Sequence, residues 1–214
     1  RQGSERAYAT FGVWDGGSLS TYITLDGSAS VEAVVLSKPL VVPTFTLDLD
    51  VSSGAANLGP TAPTFVIQDT SAGLQFDAAG EKAGLVREIP DCWDGASDLA
   101  LKLYTATEAG DVIADTEVIE FDCVYRSLGE DEPTDNGSAV TISPSYTQSG
   151  AGTDSSRHEL QATIDYDHAD QPIAAGDNIA IICNRDVGAS DTYSGFVLLS
   201  KFEVSLQCTG IPNH

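Results

Sequence analysis

The chain has no methionine, four lysines (Lys38, Lys82, Lys102 and Lys201) and three histidines (His158, His168 and His214). Against these few cations stand 32 acidic residues, 21 of them Asp, and a formal net charge of -22. Such a charge repels a phosphate backbone at every salt concentration, so direct nucleic-acid binding is not expected, and anionic membrane surfaces are excluded on the same ground. No apolar run approaches the roughly 18 residues that a membrane-spanning helix needs. With Arg1 first and no methionine anywhere, the expected translation start lies upstream. The catalytic signatures are missing too: there is no Gly-x-Ser-x-Gly elbow, no P-loop, no His-Glu-x-x-His and no dinucleotide fingerprint. Paired carboxylates of the kind used by glycosidases are abundant, but among so many acids pairs arise by chance.

What remains is ordinary for a folded protein. Hydrophobic residues make up 42% of 214, which rules out wholesale disorder and allows one sizeable β domain or a domain with an assembly segment. An Asp-rich surface suits either high salt or a cation-rich exterior in which Ca²⁺ bridges side chains. Four cysteines, Cys92, Cys123, Cys183 and Cys208, are widely spaced without a Cys-x-x-Cys pair, which argues against zinc. Strand parity puts Cys123 with Ile119 and Phe121, Cys183 with Ile179 and Ile181, and Cys208 with Phe202, Val204 and Leu206. The expectation is buried core thiols, with one or two disulfides as the alternative.

Read in order, residues 1–18, with the Gly16-Gly17 pair, resemble an extended arm that gains order by packing on something else. Strands are expected at 20–25, 31–36 and 41–51; in the last, Phe45, Leu47, Leu49 and Val51 alternate with Thr44, Thr46, Asp48 and Asp50. Pro39 and Pro43 confine the start of that strand to an edge or an entry position. Residues 52–63 are small and turn-rich, and the boundary is placed there: 1–60 as an N-terminal arm with strands for assembly, 61–214 as the main domain. Further strands are expected at 64–68, 74–77, 83–89, 99–104, 117–125, 139–142 and 159–164, separated by turns such as Asp94-Gly95, Gly110-Asp111 and Asn136-Gly137. Two long strands close the chain, around Gly176-Asp-Asn-Ile-Ala-Ile-Ile-Cys-Asn-Arg-Asp186 and from Phe196 to Cys208. Many short strands without a helical period predict an all-β, antiparallel, jelly-roll-like β-sandwich with an N-terminal arm or additional strands.

The order Ile89-Pro-Asp-Cys-Trp-Asp-Gly-Ala-Ser-Asp98, Ala174-Ala-Gly-Asp177, Asn184-Arg-Asp186 and Asp191-Thr-Tyr193, followed by a final alternating strand, resembles a recurrent domain of uncharacterised tailed-bacteriophage and related viral structural proteins. The resemblance covers residues 60–208 and implies a jelly-roll-like sandwich used as a virion component. Histidines frequent in that family after its Gly-Ser-Asp turn and near the last strand are absent from 99–104 and from Ser205-Leu-Gln-Cys208, so no role of theirs transfers.

The candidate chemistry is sparse. Asp91, Asp94 and Asp98 surround a glycine turn, and Asp165, Asp167 and Asp170 form a second cluster; turn carbonyls beside such carboxylates could hold calcium, although neither matches the EF-hand loop. Asx-type turns capping strand ends are the plainer reading. Trp93 and Tyr193 are candidates for a glycan-stacking platform. Arg185, in so acidic a chain, is expected to clamp its loop through Asp191 or Asp177, beside Asp186, with the Tyr193 ring packed under the loop and its hydroxyl on a backbone group. Asn136-Gly-Ser138 has the form of a glycosylation sequon. The expected role is a non-enzymatic viral structural protein, a capsid, decoration, tail or fibre component on a virion or otherwise extracellular, assembling with itself and other virion proteins; an extracellular carbohydrate-binding module on a host-surface glycan, or a filament subunit, is the alternative.

Overall fold

A computed structural model of the chain describes residues 8–15, 18–26, 35–36, 44–52, 57–58, 61–68, 71–78, 80–132, 137–153, 156–185 and 190–209. Among these residues there is no helix, and so none long and apolar enough to cross a membrane. The chain divides into two units, residues 1–43 and 44–214. In the first, β1 (Tyr8–Asp15), β2 (Ser18–Asp26) and β3 (Val35–Leu36) form a three-stranded antiparallel sheet in that order. Residues 8–15, expected as part of an arm, are thus a paired strand, with a bulge between Phe11 and Gly12; Arg1 and the Gly16-Gly17 pair lie outside the described residues.

The second unit begins with β4 (Thr44–Ser52), immediately after Pro43. It continues through β5 (Asn57–Leu58), β6 (Thr64–Gln68), β7 (Ser71–Phe76), β8 (Lys82–Glu88), β9 (Leu99–Thr107) and β10 (Val118–Leu128). The remaining strands are β11 (Val140–Ile142), β12 (Ser145–Thr147), β13 (Arg157–Ile164), β14 (Asn178–Arg185) and β15 (Val197–Thr209). Among the described residues all pairings are antiparallel, in the order β5-β8-β14-β10-β12-β13-β9-β15-β7-β6, with β11 on β10 and β4 on β15. The protein is an antiparallel β-sandwich.

β10 is where the sheet turns from one layer to the other. Its first residues, 118–120, pair with β12 and lead towards β13, while residues 121–128 pair with β14. Leu101, Leu103, Phe202 and Val204 from one layer then share a core with Phe121, Tyr125, Ile179 and Ile181 from the other. Phe76 and Phe121 meet edge to face across it at 5.1 Å. The unit boundary falls at 43/44 rather than at 60, because β4 runs along β15 from Thr44↔Thr209 to Ser52↔Lys201 and so shares its sheet.

The thiol expectation is corrected. Cys123 and Cys183 sit directly opposite one another on β10 and β14, with Cα atoms 4.0 Å apart, and form a disulfide inside the core. Cys92 and Cys208 form the second, and no described cysteine is free. Parity had put three of the four on inward faces; two inward cysteines in register are close enough to bond.

Candidate functional site

The segment 89–98 is sewn to the end of β15. Besides the Cys92–Cys208 disulfide, Asp94 N donates to Gln207 O at 3.0 Å, Thr209 N donates to Cys92 O at 2.7 Å, and Trp93 bridges to Cys208. Its other end meets the second resembling segment: Gly176 N donates to Ile89 O at 2.8 Å and Ile89 N donates to Asp177 O at 2.7 Å. Two stretches far apart in sequence therefore form one closure of the sandwich.

A second lock is built on Arg185, at the end of β14. Its Nε donates to Asp191 Oδ2 at 2.6 Å and its Nη2 to Asp191 Oδ1 at 3.0 Å, a bidentate pair with both side chains buried. The remaining N–H groups donate to the carbonyls of Phe76, Gly195 and Tyr193. The Tyr193 ring lies 5.5 Å from the guanidinium, and its hydroxyl accepts a hydrogen bond from Glu108 N at 3.2 Å. Burial pushes that phenol well above its ordinary range. Gly195 lies against it: a Cβ there would stand 2.5 Å from the Tyr193 hydroxyl. Asp177 serves elsewhere, accepting from Ser127 Oγ at 2.9 Å and Ala174 N at 2.8 Å. Asp186 lies outside the described residues.

The aromatic platform is not what the fold builds from Trp93 and Tyr193. Trp93 is 5% exposed and packs edge to face on Tyr166 at 5.9 Å, and Tyr193 is 2% exposed. A ring whose faces are taken by core neighbours has none left for a sugar. Parity along a loop does not reveal this, since both residues sit in turns whose direction is set by partners on β15 and β10.

The aspartates separate by role. Asp94 caps its own turn, accepting from Ala96 N at 3.0 Å, Ser97 N at 2.9 Å and Ser97 Oγ at 2.6 Å, and the Ser97 hydroxyl bond foremost lowers its pKa. Asp98 Oδ1 accepts from Tyr166 N at 3.4 Å, which brings the first turn against the second. Asp165 Oδ1 accepts from Asp167 N at 3.3 Å, and its carboxylate raises the pKa of exposed Asp167. Asp91 and Asp170 are exposed. Among the described residues no three His, Cys, Asp or Glu side chains converge to hold a metal ion. The sequon residue Asn136 lies outside them.

His158 is buried, hydrogen-bonds Ser156 Oγ through Nε2 at 2.8 Å and stacks on Tyr146 at 4.1 Å. Burial lowers its pKa, so the ring is neutral near pH 7. Ser156 is itself held by Thr107, its N–H donating to Thr107 Oγ1 at 3.0 Å.

The site that sequence reasoning missed is a groove of about 550 Å³ on the outer face of β7, β9, β13 and β15. Leu198 and Ala106 floor it, with Tyr104, Arg157, Glu159 and Lys201 around them. Alternation in 99–104 already sets Lys102 and Tyr104 opposite the core residues Leu101 and Leu103. A bulge between Leu199 and Lys201 then brings Lys201 opposite Tyr104, its ammonium 5.1 Å from the ring centre. Beside the groove, Glu203 is buried under Lys102 at 3.0 Å and Lys201 at 2.5 Å, and Tyr104 donates to it at 3.2 Å. Burial alone would raise this carboxyl, but the hydrogen bonds from Lys201 and Lys102 outweigh it and hold the pKa at about 2.

A folded pKa below the ordinary 4.5 means that this cluster stabilises the fold above that pH and loses its contribution as pH falls towards 2. Glu203→Gln should therefore lower stability by about 1.5–3 kcal/mol at pH 7. Thermal melts of both proteins should converge as pH drops from 4.5 to about 2; a difference independent of pH would show that charge is not the cause.

No protein-family model matches the chain, and no curated protein matches it. Among solved structures, a carbohydrate-binding module CBM36 in complex with calcium and xylotriose is 13% identical, with a TM-score of 0.42, over 73% of this chain and 98% of that one. The CBM36-1 domain of a multidomain xylanase from the hindgut metagenome of Trinervitermes trinervoides is 8% identical, with a TM-score of 0.41, over 74% and 96%. The infectious bursal disease virus Gx strain structure is 12% identical, with a TM-score of 0.33, over 86% of this chain and 38% of that one. These are distant likenesses of a β fold and assign no role.

Proposed function

We propose that the chain is a non-enzymatic structural protein of a virion, a capsid, decoration or fibre component whose sandwich is its working part. The observation that carries this reading is the employment of its motif residues. Ile89, Cys92, Trp93, Gly176, Arg185, Asp191 and Tyr193 all close or lock the sandwich, and none lines the groove. Its buried acids are likewise engaged: Asp191 with Arg185, Glu203 with two lysines, and Glu81 with the N–H groups of Asp77 and Ala78. Two disulfides suit a protein that functions outside a reducing cytoplasm. The test is immunogold labelling of virions purified from the source of the chain with an antibody raised to it. Label on the particles is the expected result; label confined to soluble secreted material would overturn the reading.

The groove favours a second reading, an extracellular carbohydrate-binding module. An apolar floor rimmed by a tyrosine, an arginine and a carboxylate matches the mixed surface of a polyhydroxylated ligand. On a glycan array, Tyr104→Ala should then lose binding by about tenfold or more, a loss of about 1.4 kcal/mol, while keeping a cooperative melt. Absence of binding to every glycan would remove this reading and leave the first untouched.

A further inference from the structure

We propose that β6 is a self-pairing edge, at which a second copy of this chain adds antiparallel to the sheet. Among the described residues β6 pairs with β7 alone, so no described strand occupies its other side. The strand, Thr-Phe-Val-Ile-Gln, carries none of the charges, prolines or bulges that normally blunt an edge. Its register explains why its apolar side chains are left in water. Phe65 stands opposite Leu74, a core residue 2% exposed, and therefore belongs to the core-facing side of the sheet. Yet Phe65 is 50% exposed and Ile67, on the same side, 77%. The core-facing row continues past the end of its cover.

Charge and symmetry select the occupant. Two copies each carrying -22 repel over most of their surface, whereas residues 51–68 contain no charged side chain, so an approach along this edge brings the least like charge together. Antiparallel pairing about a twofold axis at Val66 sets Phe65 of each copy opposite Ile67 of the other, on one face. The strand is self-complementary in that register: two apolar pairs flank Val66, and Thr64 meets Gln68 at each end. A contact of five residues is smaller than a permanent interface, so the dimer is weak and should strengthen with salt as the repulsion is screened. The inference does not depend on the virion reading.

The test is sedimentation velocity on the full chain, at low salt and at about 1 M NaCl, where the Debye length falls to about 3 Å. Wild type should show a reversible dimer that grows with concentration and salt. Ile67→Lys and Phe65→Glu, both at exposed positions, should each weaken it at least tenfold without changing the melt. Mixed together they should restore a heterodimer, because the register sets the new Glu of one copy against the new Lys of the other. Ile182→Lys, exposed on the other layer, is the control and should leave the dimer intact. A chain monomeric at every salt and concentration, a dimer indifferent to Ile67→Lys, or a mixture that does not recover would each overturn the proposal.

Discussion

Arg185→Ala is expected to cost about 3–5 kcal/mol, the range for leaving one member of a buried pair without its partner. For a unit of this size that is a fall in melting temperature of about 6–20 °C. The cost is high because the guanidinium has two tasks. It neutralises Asp191, whose side chain is fully buried, and it also donates to the carbonyls of Phe76, Gly195 and Tyr193, so its removal leaves a buried carboxylate with only the N–H groups of Tyr193 and Glu120 on it and takes a donor from three backbone carbonyls at once. Asp191→Asn should cost less, since the arginine keeps its carbonyls and a neutral acceptor. Arg185→Lys should fall nearer to alanine, because a single ammonium cannot reproduce a bidentate fork and reach Gly195 as well. Denaturant unfolding of the three variants checks the order; Asp191→Asn costing as much as Arg185→Ala would mean that the charge left uncompensated on the buried arginine outweighs the carbonyl bonds it keeps.

The contrast between this lock and the groove explains what could be read from the chain. Arg185 was legible because its partner is six residues away and the chain is short of cations, so a local argument sufficed. β6 was legible residue for residue, since a run of β-branched and aromatic residues directly after a proline reads as a strand. β12 was not: three residues after Pro144 take strand form only because β10 and β13 flank them. The groove depends on Ser200 being the extra residue of a bulge, which moves Lys201 to the side of Tyr104. Trp93 failed as a ligand platform for a related reason, because its surroundings come from β15 and Tyr166, both distant in sequence. Period-2 patterning identifies faces within strands; what covers a face is a property of pairs of strands.

The disulfides give the other large effect, and their two terms can be separated by experiment. The chain-entropy argument assigns about 4–5 kcal/mol to each, because the bonds close loops with sequence separations of 116 and 60 residues. Between them the logarithm of loop length makes only about 0.6 kcal/mol of difference, in favour of Cys92–Cys208. The smaller loop lies within the larger one, so the total is less than the sum. Reduction leaves all four sulfurs in place and removes only the cross-links, whereas Cys123→Ala with Cys183→Ala also empties two fully buried positions between Phe121 and Tyr125 on β10 and opposite them on β14. A cavity at such a site adds about 1–3 kcal/mol. Cys92→Ala with Cys208→Ala empties one fully buried position, Cys208, and one only partly buried, Cys92, and frees a segment still held by the backbone bonds of Asp94 and Thr209 and by Trp93. The expected order of melting temperatures is therefore wild type, then the 92/208 variant, then the 123/183 variant, although loop length alone predicts the reverse for the last two. If the 92/208 variant proves the less stable, the clamp on β15, rather than the packed sulfurs on β10 and β14, is what holds the two layers together.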